Sequence, residues 1–599
     1  MKLLIVESPG KIKTLRKILG ADWLLEASIG HTTELAHDGF KNLGFEIQKD
    51  QVTTRYVPRT PRGPEVLKRL RSAIRHADQV YLAMDPDREG EAIAWHLVEQ
   101  LRLKKFARVT YTQITEAAVL AAIGNPRGLD FPLIHAQRAR QCLDKLVGFE
   151  VSPLLWKTSG GKSAGRVQSA TLHMVCERER ERLRFVPEDY WTLHSHYDNQ
   201  LIAQYQPANI SQKTEAERIH RVASSEPHVV SKLEERKEKR LPPPPLITSS
   251  LQQMASFRLK FSPQHTMKIA QELYEGVGGS GLITYMRTDS VNLSPEFIQE
   301  ARAWLKQESP DAISEQATLF HSKTPSINSQ AAHEAIRPTS AEVTPEKIRT
   351  LLSRDQHLLY KLIWERAMAS QCKPALLAKT LIEICAEKTL WTARGSRVVD
   401  AGYLKFWNNI EEDHFLPQVK VGQILNLQKI KIEKKTTQSP SRCSEAKLIQ
   451  LMEKNGIGRP STYASTVMTL KERDYVLLEK DVLTPTALGM ATDGVLSLAL
   501  PDLVDVDFTA QMEKSLDRIA DNQLGWEKFL SSWNEDYFRQ AMLKAHSKVQ
   551  NMPRSDGQAK SSYSSKTSKK SKSSSKISFS LFKSQLKKSR QKKKKKTRG

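Results

Sequence analysis

Two short apolar runs near the start of the chain, Leu3–Val6 and Gln79–Met84, have the length of buried strands. Helical spacing of apolar residues follows each, over Lys11–Leu19 and Glu91–Leu101. Strand–helix alternation predicts a parallel α/β domain over about residues 1–120. Open sheets of this kind carry their sites at the carboxyl ends of the strands. Glu7 and Asp85 occupy two such ends, so acids far apart in sequence are expected to meet in space.

Beyond that domain the pattern changes to helix, loop and helix over about 130–185, with Ser159–Arg166 as a glycine-rich loop. Residues 190–235 read as strands with polar breaks, and Pro242–Pro245 as a stiff, extended domain hinge. Mostly helical stretches follow at 248–276, 291–307 and 343–372, with a polar loop at 321–330 between the last two. A β-rich region is expected over 376–432, then helix again over 444–471 and 509–547. After about residue 550 the chain is dominated by Ser and Lys, a composition that cannot bury a core and predicts disorder. The resulting division is 1–120, 130–550 and a tail at 554–599.

Composition narrows the function classes. The net charge is +25, and the tail from Arg554 holds 17 Lys/Arg against the single acid Asp556. A basic body with a more basic tail fits a polyanionic partner. No apolar run reaches the ~18–20 residues of a membrane span, and the N-terminus meets an acid too early for a signal peptide, so a cytoplasmic location without membrane association is expected. No two of the five cysteines lie within four residues of each other, which excludes C-x₂-C zinc ribbons from this sequence and offers no disulfide framework.

Candidate chemistry gathers in two places. Asp85, Asp87 and Glu89 follow a strand; in an extended chain they point to one side. Clustered carboxylates favour a hard divalent cation, and Mg²⁺ suits oxygen ligands. An acidic helix start that complements the dipole is the structural alternative. Lys11, in the helix after Glu7-Ser8-Pro9-Gly10, could assist a phosphate at the helix N-terminus. The second place is Gly281–Ser290, where Arg287 stands two residues after Tyr285 and would share its face in a strand. A phenol there could attack a phosphodiester while the guanidinium held the phosphate oxygens. An aryl phosphodiester conserves the energy of the broken bond, so resealing needs no ATP. Nucleotide motifs agree: Gly161-Lys162-Ser163 is preceded at the P-loop glycine position by Trp156, and His333–Arg337 fails the H-E-x-x-H zinc pattern at its last residue.

These segments resemble the bacterial type IA DNA topoisomerases. The matches are Val6-Glu7-Ser8-Pro9 with Lys11, Ser28–His31, Asp85–His96, Ser163–Ser169, Thr284–Ser290, His333–Thr339 and Gly456–Tyr463. The resemblance implies an N-terminal TOPRIM domain with a parallel sheet inside a four-domain toroid, multidomain α/β plus mainly α. It also implies a monomer that acts on single-stranded regions of negatively supercoiled DNA without ATP and associates with the nucleoid. Tyr285 would become linked to a 5′-phosphate, with Arg287, Glu7, Lys11 and His333 assisting. Glu7, Asp85, Asp87 and Glu89 would hold Mg²⁺. DNA contacts would come from His31, Arg140, Asp144, Phe149, Trp156, Ser163, Ala164, Gly165, Arg166, Val167, Gln168 and Arg459. Phe149 stands where the family usually has tyrosine, Thr32–Ala36 departs from the usual basic-Asp-Leu-Pro pattern, and a Lys/Ser tail stands where many members carry zinc ribbons. A topoisomerase III-like decatenase on the same scaffold is the neighbouring alternative, and a TOPRIM nuclease, which needs the acids but not Tyr285, a more distant one.

Overall fold

A computed structural model describes residues 1–321, 334–410 and 413–550. The expectations placed on His333, on most of the 321–330 loop and on the 554–599 tail lie outside the described residues.

The predicted parallel sheet is present. Its four strands run in the order Trp23–Ala27, Lys2–Val6, Gln79–Ala83 and Ala107–Arg108, all parallel. Strand Lys2–Val6 is central and wholly apolar after its first residue, as a strand covered on both faces must be. Val6 pairs in register with Ala83, so Glu7 and the Met84–Asp85 segment leave the sheet side by side. Helices Gly10–Leu19, Gly63–Arg75 and Arg88–Leu101 supply the crossovers. The start of the last is set by Asp87, whose side chain accepts from Gly90 N at 2.8 Å as an N-cap. Helix therefore begins at Arg88, three residues before the expected Glu91. This overturns the extended alternation of the acids: Asp87 caps the helix and Glu89 lies in its first turn.

A seven-stranded antiparallel sheet holds the middle of the chain, built on strands His228–Arg240, Ala375–Ala386 and Thr389–Asp400. The region expected to be strands with polar breaks over 190–235 also contains the helix Lys213–Ser225. Ala216, Ile219 and Ala223 are its buried residues, a helical spacing hidden in a mostly polar segment. The expected helix over 343–372 is a short 3₁₀ turn at Arg349–Leu351 and an α-helix over Arg354–Ser370, which opens on a reciprocal Ser353–Gln356 capping box. The four-proline run connects the long strand His228–Arg240 to helix Thr248–Leu259, and its Pro244 carbonyl accepts from buried Arg366 at 2.7 Å.

One apolar cluster runs from Leu4, Val6 and Tyr81 of the N-terminal domain through Tyr274, Ile283 and Tyr285 to Trp364 and Trp407. The parallel sheet and the tyrosine-bearing segment thus share a core, and that core positions the site. Among the described residues no helix is long and apolar enough to cross a membrane.

Candidate active site

The acid loop is held from beneath by one side chain. Arg108 is completely buried at the end of its strand. Its guanidinium donates to the carbonyls of Leu82 at 3.1 Å, Met84 at 2.9 Å, Val109 at 2.6 Å and Asp85 at 3.0 Å, and to the Glu91 carboxylate at 3.0 Å. Glu91 is also buried and accepts from Arg127 and from Asp130 N. Gly90 is required at the bend: a Cβ there would stand 2.2 Å from the Asp85 carbonyl oxygen.

The tyrosine segment is fixed by main-chain and threonine bonds rather than by a regular strand. Tyr285 N donates to Thr112 O at 2.7 Å, Thr284 N to Arg337 O at 2.9 Å, and Thr284 Oγ1 to Ala335 O at 2.7 Å. Ile283 bridges Pro338, so the Glu334–Thr339 motif serves as the partner that holds the tyrosine in place.

These two constructions meet. Tyr285 Oη donates to Asp87 Oδ2 at 2.7 Å, and Arg287 Nη1 lies 3.5 Å from the same oxygen. Tyr285 and Arg287 therefore converge on one carboxylate, although no strand gives them a common face. Tyr285 is 3% exposed. Its burial, followed by the negative charges of Asp87 and Asp85, holds the phenol well above its ordinary value. The resting group is a phenol that already points its proton at an acceptor.

Behind it, Lys11 is buried and ion-paired with Asp85. The ammonium expected at a helix N-terminal phosphate site points inward instead. Burial opposes its charge, and Asp85, with Tyr111 and Glu7, outweighs burial and raises its pKa. Glu7 completes the group. Burial, then Asp85 and Asp87, pushes its carboxyl up to about 7, and its buried Oε2 has no hydrogen-bond partner among the described residues. Glu7 is thus a carboxyl poised to hold a proton near neutrality, close to the Asp87 that accepts from the phenol, and a carboxyl tuned in this way suits acid–base chemistry.

Glu89 stands apart. It accepts from His31 at 3.0 Å, Arg140 at 3.2 Å and Gln137 at 3.4 Å. Burial alone would raise it, but the His31 bond and the Arg140 charge bring it down to about 2. Among the described residues no three carboxylate, imidazole or thiol groups converge to hold a metal ion by themselves.

Both parts of the chain match known family models, the Toprim domain over residues 2–115 and a DNA topoisomerase model over 128–531. The DNA topoisomerase 1 of Campylobacter jejuni is 38% identical over 553 residues, covering 90% of this chain and 78% of that protein. The chain belongs to the bacterial type IA DNA topoisomerases. The DNA topoisomerase 1 of Xylella fastidiosa is 40% identical over 88% of this chain and 68% of its own length. A solved structure of full-length topoisomerase I from Thermotoga maritima superposes with a TM-score of 0.79 at 34% identity, over 91% of this chain and 90% of that one.

The remaining positions that the resemblance to type IA topoisomerases singled out fall into two groups. Phe149 and Trp156 project from helix Phe131–Lys157 at 41% and 61% exposure, so core packing does not explain either ring. Arg140 and Arg459 are partly exposed and paired with acids, Arg140 with Glu89 and Asp144, Arg459 with Asp517. Others build the loop. Ser163 and Gln168 bond each other, Ala164 is buried with its N–H on Ser152 Oγ, Gly165 caps helix Arg166–Arg184, and Val167 packs against the cluster around Leu448. Arg166 is buried between Asp144 and Glu513. Sequence reading missed Asp517, which also pairs with Arg88 of the acid motif. No sequence signal joins residues so far apart; only the fold shows the contact.

His96, buried beneath His31, gives this topoisomerase a pH signature. Burial, then the charges of His31 and Arg138, pushes its imidazole down to about 3 from an ordinary 6.5. Below the ordinary value the unfolded chain binds a proton that the folded chain refuses. This stability is therefore complete above pH 6.5 and declines as the pH falls. Between pH 6.5 and 5 the protein is expected to lose ~1–2 kcal/mol more than a His96→Phe variant does. Urea titration at both pH values checks this, and equal losses would contradict it.

Proposed function

We propose that this topoisomerase cuts one DNA strand with Tyr285, passes the other strand, and reseals the break without ATP. The observation that carries the proposal is the meeting of Tyr285, Asp87 and Arg287 from segments 198 residues apart. In cleavage the Tyr285 oxygen bonds to phosphorus as the bond to the 3′-oxygen breaks. The phenolic proton passes to Asp87, and Glu7, protonated near neutral pH, supplies a proton to the leaving 3′-oxygen. Arg287 holds the non-bridging oxygens, with Lys11 and Asp85 setting the field behind them. Religation runs the same transfers backwards: the 3′-hydroxyl attacks, and the tyrosine leaves. Among the described residues the proton transfers need only Asp87 and Glu7.

The donor set fits a hard divalent cation. Glu7, Asp85 and Asp87 supply only oxygen, burial and then the charges of Asp85 and Asp87 raise Glu7, and among the described residues Glu7 Oε2 lacks a partner. Mg²⁺ commonly takes one or two carboxylates together with phosphate oxygens and water, so a site completed by DNA suits it. When bound, it would supply positive charge to the phosphate. Glu89, already committed to His31 and Arg140, is the poorest candidate ligand of the four acids. Relaxation of supercoiled plasmid is expected to stop in chelator and return with Mg²⁺; undiminished relaxation in chelator would sink the metal reading.

For DNA, Phe149 and Trp156 offer stacking surfaces along one helix. The pairing acids of Arg140 and Arg459 would give way to phosphates there. Arg166, buried, acts by fixing Asp144 and Glu513. The reaction is tested by denaturing the enzyme on an oligonucleotide labelled at its 3′ end. Label is expected to remain on the peptide containing Tyr285; label free of protein, or on another residue, would refute the assignment.

A further inference from the structure

One buried ring at the site has no part in the chemistry above. Tyr274 lies in the last turn of helix Pro263–Glu275 and is fully buried. On one side its ring meets the Tyr285 ring nearly edge-on, with centroids 5.3 Å apart and planes at 64°. On another, the Lys11 ammonium sits 5.3 Å from its centroid. Among the described residues its hydroxyl makes only a long contact, 3.4 Å to the Tyr111 carbonyl. The ring therefore makes the close contacts and the hydroxyl contributes little.

Its neighbours fall on two sides of a seam. Tyr274 travels with the tyrosine segment: Leu282 N donates to Leu273 O at 2.9 Å, and a Cβ on Gly281 would stand 2.7 Å from the Tyr274 carbonyl oxygen. Lys11 belongs to the N-terminal domain and is anchored there by Asp85. A buried ammonium over an aromatic face is attracted to the ring as well as to its carboxylate partner. An edge-to-face pair restrains the second ring's rotation. The contact with Lys11 thus fixes Tyr274, and Tyr274 fixes the plane in which Tyr285 presents its oxygen to Asp87.

We propose that Tyr274 is a positioning residue that aligns the Tyr285 ring for attack and does so only while the tyrosine segment is closed against Lys11 of the N-terminal domain. The inference rests on Tyr285 being the nucleophile. Strand passage requires the cut ends to separate, and opening the seam would release Tyr274 from Lys11. The aligned state would then be unavailable until the seam closes again, which ties religation geometry to closure.

The test uses the full chain and a 3′-labelled single-stranded oligonucleotide under single-turnover conditions. Tyr274→Leu removes the ring and is expected to slow adduct formation ~30-fold, the scale of a small misplacement of a reacting group, while oligonucleotide affinity stays within ~2-fold. Tyr274→Phe keeps the ring and is expected to cleave within ~2-fold of the unaltered protein. Wild-type cleavage by Tyr274→Leu overturns the proposal. So does a Phe variant as slow as the Leu variant, and so does a Leu variant that loses affinity in step with cleavage, which would mark a purely structural role. Should Tyr274→Leu fail to fold, Tyr274→Met replaces it with the same expected result. Tyr285→Phe is run alongside. Adducts that persist in it refute the nucleophile itself, whereas their absence together with full-rate cleavage by Tyr274→Leu refutes only the positioning role.

Discussion

Tyr285→Phe is expected to abolish covalent DNA adducts and to lower plasmid relaxation by at least ~10⁴-fold, the scale seen when a nucleophile acting with its partners is removed. The substitution is clean in this setting. The phenylalanine ring fills the same buried volume against Tyr274, and the main-chain bond from residue 285 to Thr112 is unaffected. Only the oxygen, and with it the bond to Asp87, is lost. Oligonucleotide binding is expected to stay within ~3-fold, because the bond that is lost is one the enzyme makes to itself rather than to DNA. Arg287→Ala gives the contrast. It leaves the nucleophile and removes charge stabilisation, so adducts should still form, ~10²–10³-fold more slowly. A Tyr285→Phe protein that still relaxed plasmid, or an Arg287→Ala protein that formed no adduct over long incubation, would reverse the roles given to the two residues.

The order of the strands made part of this site legible in sequence. Two apolar runs followed by helices were enough to place Glu7 beside Asp85, because parallel strands deliver their carboxyl ends to one edge. Tyr285 and Arg287 were legible through a long motif, but the reason they converge was not. The expected shared strand face is absent; both reach Asp87 because Thr284, Ala335 and Arg337 hold an irregular segment against Thr112. At Glu89 a local signal competes with the strand pattern. Asp87, followed three residues later by Gly90 and then an apolar helix, reads as an N-cap, and a cap breaks the two-residue alternation that would have aligned the acids. Tyr274, Arg108 and Asp517 were beyond reach. Each owes its place to contacts between distant segments, and nothing in its own neighbourhood distinguishes a buried aromatic, arginine or aspartate that supports a site from one that merely fills a core.

Arg108→Met is the substitution expected to cost the most stability, about 3–5 kcal/mol, the scale for removing one member of a buried ion pair. Methionine matches much of the arginine's apolar length but donates nothing. The carbonyls of Leu82, Met84 and Asp85 then lose their shared donor, and among the described residues Glu91 is left with Arg127 alone as its cationic partner. Arg127 cannot compensate, because it approaches from the surface and is 39% exposed. For that reason Arg127→Ala is expected to cost no more than about 1 kcal/mol. Urea unfolding of the two variants measures the difference directly, and equal losses would show that Arg108 is not the support of the acid loop. The functional consequence is separate from folding. Even where Arg108→Met remains folded, at low temperature, the chain from Leu82 to Asp85 loses the anchor that sets Asp87 at 2.7 Å from Tyr285. Cleavage should therefore fall while oligonucleotide affinity, proposed to rest on rings such as Phe149 and Trp156 that make no bond to that loop among the described residues, is kept. A folded Arg108→Met enzyme that cleaved at the full rate would place the rigidity of the acid loop in the helix cap at Asp87 and not in the buried guanidinium.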